Sequence, residues 1–107
     1  MFTRMVHCDP KAGKREEVAH TISREVIPTL QRQPGFVDLI TLSDNTREER
    51  VICVSFWTGQ AEADNYTLNH YERIVSLLKP YLRTDPVVET FRVEDSTFHR
   101  ISAGKAA

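Results

Sequence analysis

Val51–Trp57 reads VICVSFW, and residues 58–82 continue as TGQAEADNYTLNHYERIVSLLKPYL. In the first segment Val51, Cys53, Ser55 and Trp57 alternate with Ile52, Val54 and Phe56, so neither face is plainly polar. A strand apolar on both faces belongs in the middle of a covered sheet. The second segment is periodic at helical spacing. Thr58 is placed to cap it, and Glu62 falls in the first turn, where the helix dipole favours a carboxylate. On a wheel of about 100° per residue, Tyr71, Ile74, Val75 and Leu78 form the centre of an apolar face. Ala63, Tyr66, His70, Leu77 and Tyr81 lie along one edge of that face, and Leu68 and Leu82 along the other. Asn65, Asn69, Glu72, Arg73 and Ser76 fall outside it, and Pro80 stops the regular helix.

Working outward, residues 2–8 (FTRMVHC) suit a first strand, with Phe2, Arg4, Val6 and Cys8 on one face and Thr3, Met5 and His7 on the other. Asp9-Pro10-Lys11-Ala12-Gly13 breaks it. A helix follows, with Val18, Ile22, Val26 and Leu30 at steps of four, and Pro28 is expected to bend its last turn. Gln33-Pro34-Gly35 closes this helix, and Phe36–Leu42 gives a second strand. Residues 43–50 are polar and turn-rich, as a solvated hairpin loop requires. Asp85-Pro86 introduces a fourth strand over Val87–Val93. The pattern predicts a domain over residues 1–95 and a tail over 96–107 without core periodicity, in which Phe98 and Ile101 are able to anchor against a neighbouring subunit.

The order β-α-β-β-α-β predicts an α+β fold, a four-stranded antiparallel sheet with both helices on one face. Right-handed crossovers place the first and third strands in its centre. The other sheet face has no helix to cover it, although its residues are apolar. Packing against the sheet of a second copy solves that problem, so a homodimer is expected.

Composition sets wider bounds. The 107 residues carry a formal net charge of -1 and are 40% hydrophobic, which gives no electrostatic basis for a nucleic-acid or anionic-membrane partner. No apolar run approaches the roughly 20 residues of a membrane span, and the N-terminus lacks signal-peptide architecture, so a cytoplasmic location is expected. Cys8 and Cys53 sit in strand-like runs as buried free thiols. His7, His20, His70 and His99 show no metal-ligand spacing, so no metal is expected, and His20 and His99 are read as solvent-facing. No phosphate loop, nucleophile elbow or basic-aromatic stripe is present.

In this order of elements, Pro34-Gly35-Phe36 opening the second strand, Phe56-Trp57 closing the third, Tyr71 in mid-helix, the terminal Pro80 and the short strand after Pro86 together resemble the antibiotic biosynthesis monooxygenase (ABM) domain of the dimeric α+β barrel group. The resemblance covers roughly residues 2 to 94 and rests on order and spacing. It implies a ferredoxin-like subunit, a barrel-like dimer formed sheet to sheet, and a pocket in each subunit between sheet and helices. Activities in the family include cofactor-free oxygenation of quinols and anthrones, and haem degradation. The haem-degrading branch uses an asparagine on the first strand and a tryptophan and a histidine on the second helix. Here that strand has no asparagine, Tyr66 stands at the tryptophan position and Ser76 near the histidine position. The resemblance therefore implies a cofactor-independent monooxygenase of a small aromatic or quinol-like molecule, or a non-catalytic binding or stress-related protein of the same fold.

Such an oxygenase needs an apolar slot, a base and donors for developing charge. His70 is the candidate base, since imidazole titrates near neutral pH; its structural alternative is a histidine at the core edge. Trp57, Tyr66 and Tyr81 are candidate substrate-binding walls, or packing and surface residues. His7 joins them if it faces the helices, and is an interface residue if it faces the partner sheet. Arg4 and Arg92 lie on neighbouring strands, where pairing with Asp38 or Glu89 is the expected arrangement and contact with an anionic substrate the alternative.

Overall fold

A computed structural model describes residues 1–46 and 49–98. Four strands, β1 (Phe2–Cys8), β2 (Phe36–Ser43), β3 (Val51–Trp57) and β4 (Val87–Arg92), form one antiparallel sheet in the order β2-β3-β1-β4. The central strands are β3, apolar on both faces apart from Ser55, and β1. Two long helices cover one face. The first, α1 (residues 15–31), runs Arg15–Thr21, Ile22–Val26 and Ile27–Gln31, and its middle segment is a π turn. The second, α2 (residues 60–78), runs Gln60–Tyr66, Thr67–Tyr71 and Glu72–Leu78, again with a central π turn, before a 3₁₀ turn at Lys79–Tyr81. Among the described residues no helix is long and apolar enough to cross a membrane.

Register assigns the faces. Arg4 pairs with Ser55, Val6 with Cys53 and Cys8 with Val51, and these point under the helices; Met5, His7, Ile52 and Val54 point the other way. Val18, Ile22, Val26 and Leu30 of α1 are all buried, as their spacing predicts. Pro28 accounts for the π turn before it: its ring crowds the carbonyl four residues back, at Arg24 within Ile22–Val26. In α2, Thr67 Oγ1 donates to the Ala63 carbonyl at 2.9 Å and the Asn69 amide to the Asn65 carbonyl at 2.8 Å. Both add a side-chain donor to a helix carbonyl, and the Ala63 carbonyl also keeps the Thr67 backbone N–H.

That second π turn changes the phase of the helix. Tyr66 and Tyr71, five residues apart, come onto the same side, with ring centroids 6.5 Å apart. Tyr66 is buried at the centre of the face, whereas the uniform wheel puts it at an edge. Leu68, expected on the opposite edge, is 85% exposed. The helix also begins later than Thr58 predicts. Gly59 stands at its cap, and the Thr58 N–H donates to the Gly35 carbonyl at 2.8 Å. The fourth strand stops at Arg92. His99 and Ile101 lie outside the described residues, and Phe98 is exposed.

Gly35 carries the junction between β2 and α2. Its φ is +79°, and a Cβ there would approach Thr58 Oγ1 to 2.7 Å and the Glu62 side chain more closely still. The left-handed backbone alone costs a non-glycine residue about 1–3 kcal/mol. Gly35→Ala is therefore expected to lower unfolding free energy by about 2 kcal/mol or more in urea titration. An unchanged midpoint would show that Glu62 and Thr58 give way freely.

Candidate functional site

A small cavity of about 30 Å³ lies between the helices and the sheet. Its apolar walls come from α1 (Ile22, Val26 and Leu30), α2 (Ile74 and Leu78) and the sheet (Val6 and Leu39), with Pro86 beside β4. Its polar lining consists of Arg4, Ser55, Tyr66, Tyr71, Cys8 and Cys53. Every one of these side chains is able to donate, and among the described residues neither a carboxylate nor an imidazole contributes to the wall. The volume matches the share of one water in the liquid.

Aromatic packing closes one side. Trp57 is fully buried; its Nε1 donates to Ser55 Oγ at 2.9 Å, and its ring stacks on Tyr66 with centroids 5.3 Å apart. Phe36 meets the same indole edge-on at 5.6 Å. Contacts of this kind contribute about 0.5–1.5 kcal/mol each beyond the area they bury. On the cavity side, the Arg4 guanidinium carbon lies 4.6 Å from the Tyr71 ring centroid and 5.4 Å from that of Tyr66.

Arg4 is 4% exposed, yet none of the ion pairs among the described residues includes it. The expected pairings fail for reasons of face and register. Asp38 sits opposite Phe56 on the other side of the sheet, and Glu89, opposite Met5, receives His7 Nε2 at 2.7 Å there. Arg92 pairs instead with Glu94 at 3.6 Å, both exposed. Beside Arg4 the Tyr71 hydroxyl is buried without a hydrogen-bond partner of normal geometry.

The other candidates separate. Tyr66 lines the cavity, and Trp57 supports it from behind. His70 stacks against Tyr66 at 6.2 Å and adds no atom to the cavity wall. Tyr81 lines a different, open groove of about 320 Å³ between the helices, with Glu17, His20, Arg24 and Leu77. His7 faces away from the helices, on the open sheet face. Ser55 lines the cavity without having been a candidate, and Arg4, expected in an ion pair, lines it as well. The signal for Arg4 is its parity: it shares a strand face with Val6 and Cys8, which are core residues. No group of three or more His, Cys, Asp or Glu among the described residues is placed to hold a metal ion.

Burial makes the cavity protic. It pushes the Tyr66 phenol up to about 12, the Arg4 charge partly opposing, and raises Tyr71 for the same reasons. Burial likewise lifts the Cys8 thiol to about 12 and the Cys53 thiol to about 11, so neither free cysteine is a ready nucleophile.

The profile of the family described as "Antibiotic biosynthesis monooxygenase" matches residues 1–74. Among solved structures, a mutant of SnoaB, a cofactor-independent oxygenase from Streptomyces nogalater, aligns with TM-score 0.77 at 15% identity, covering 90% of this chain and 95% of its own. A conserved protein from Methanosarcina mazei Go1 aligns with TM-score 0.73 at 18% identity, covering 86% and 92%. No curated protein matches the chain in sequence.

The raised thiols and phenols link stability to pH. Each group holds its proton more tightly folded than unfolded, so the folded state binds more protons above the ordinary values of 9.0 and 10.0. Their contribution is complete below pH 9.0 and is lost as pH rises toward about 12. The urea midpoint is expected to fall across that window, and less steeply in Tyr66→Phe. Equal slopes in the two proteins would contradict a buried, protonated Tyr66.

Proposed function

The chain belongs to the antibiotic biosynthesis monooxygenase family, and from that premise we propose that it is a cofactor-independent oxygenase of a small aromatic or quinol-like molecule, working as a sheet-to-sheet homodimer. The observation that carries the reading is the cavity itself: apolar on the helix side, with donors concentrated around Arg4, Tyr66 and Tyr71. A quinol- or anthrone-type substrate that has lost a proton forms a delocalised anion able to react with dioxygen directly. For an anthrone, a CH₂ group becomes a carbonyl. One oxygen atom enters the product and the other leaves as water, and the substrate supplies all four electrons. The protein then has to orient the ring, exclude water and offer donors to the developing oxyanion.

At about 30 Å³ the cavity is small, well below the roughly 300 Å³ of the smaller ligand pockets. A ring is admitted when wall side chains swing away, and Ile22, Val26 and Tyr71 lie on the two π turns, where the helical ladder is weakest. The small volume and the lack of a carboxylate or imidazole in the described wall favour one second reading, a protein that binds such molecules without turning them over.

Dimerisation is supported by the uncovered sheet face, where Leu42 is 46%, Phe91 47% and Val87 60% exposed. A patch of this kind marks an interaction surface. Light scattering is expected to give twice the 12.3 kDa chain mass, and Leu42→Lys to shift the protein toward monomer; a wild-type monomer at micromolar concentration would sink the dimer.

Oxygen uptake tests the activity. With simple quinols and anthrones in air and no added cofactor, uptake is expected to exceed the buffer rate. His70→Ala is expected to keep at least half of that rate, because His70 lies behind Tyr66 and outside the cavity wall. Uptake equal to buffer would reject the oxygenase. A tenfold loss in His70→Ala would restore the histidine as base.

A further inference from the structure

Arg4 is the most anomalous group in the molecule. It is 96% buried, the complement of its 4% exposure, and it points into a cavity. Tyr66 and Tyr71 give their ring faces to the guanidinium. Ring faces balance charge but accept no N–H in the manner of a carboxylate, and none of the ion pairs among the described residues includes Arg4, whose side-chain polar contact is with the Tyr71 hydroxyl. A buried charge without a partner destabilises a fold, and an apolar residue of similar volume is commonly as good or better for stability. The Tyr71 hydroxyl next to it is also buried, facing Arg4 without a hydrogen bond of normal geometry. Two buried donors facing one space, with no carboxylate in the described wall, leave donor capacity for an acceptor that arrives from outside.

We propose that Arg4 and Tyr71 form an anion subsite inside the cavity, which selects a small planar aromatic bearing a delocalised oxyanion, either a carboxylate or an ionised phenol or enol. The guanidinium plane matches the two oxygens of a carboxylate. The Tyr71 hydroxyl supplies a further donor, and Ile22, Val26 and Ile74 receive the hydrocarbon. Arg4 is thereby a specificity-determining residue: it holds the anion and leaves the ring to the apolar wall. The inference rests on reading this cavity as the ligand site, and it does not require turnover.

Binding under argon separates the two claims. The single tryptophan, Trp57, packs on Tyr66 and reports occupancy by fluorescence. Benzoate is compared with neutral benzamide, and 4-nitrophenolate with neutral 4-nitroanisole. Wild-type protein is expected to bind the anion of at least one pair tenfold more tightly or better, and the pair that shows the preference identifies the oxyanion. Arg4→Met is expected to bind both members alike while resisting urea as well as wild type does, a combination that a purely structural arginine would not give. Equal wild-type affinities in both pairs, no saturable binding of any probe, or a preference that survives in Arg4→Met would overturn the proposal. Should Arg4→Met not fold, the wild-type pairs decide alone, with Arg4→Lys expected to keep a reduced preference. Anion-selective binding without oxygen uptake supports the subsite and rejects the oxygenase.

Discussion

The contact on which this structure depends most is the stack of Trp57 on Tyr66. It joins the end of the central strand β3 to the middle of the helix that follows, and it is dry on every side: the indole has no exposure and the phenol 2%. Ser55, one face position back along the strand, accepts the indole N–H and removes the polar objection to burying it. With Tyr66 fixed there, the π turn of α2 carries Tyr71 to the same side, and the two rings cover Arg4. Gly35 allows the start of the helix to approach close enough for the stack to form. Packing, helix phase and cavity chemistry thus trace back to one aromatic pair.

Much of this was legible in the residues. The two-faced apolar strand at residues 51–57 had to be central, right-handed crossovers put residues 2–8 beside it, and the regular stripe from Val18 to Leu30 had to face them. The second helix was harder. A uniform wheel assumes one helical pitch throughout, but Thr67–Tyr71 is a π turn. The resulting phase change moved Tyr66 inward and Leu68 into solvent. Side-chain composition contains that possibility but not the choice.

The site was legible in type and less so in detail. An aromatic wall was expected and is present in Tyr66, with Tyr71 joining it. His70 and Tyr81 share the helix but not the cavity, because the π turn and the closing 3₁₀ turn rotate them elsewhere. His7 turns away from the helices by strand parity alone. Arg4 follows from parity too, since a residue between Phe2 and Val6 on the core face must enter the core. What parity did not reveal is that the carboxylates expected to neutralise it lie across the sheet. Pairing is a property of faces, and a sequence shows faces only after register is known.

Two helices interrupted by π turns roof a small cavity in which Arg4 lies without an acidic partner among the described residues, and the proposed ligand site rests on that arrangement. The most direct measurement is a crystal structure of the protein grown with a small aromatic carboxylate. The account predicts the ring inside an enlarged cavity between Ile22, Val26 and Ile74, with both carboxylate oxygens on the Arg4 guanidinium. Ligand density in the Tyr81 groove or on the open sheet face, with the Arg4 cavity unchanged, would contradict it.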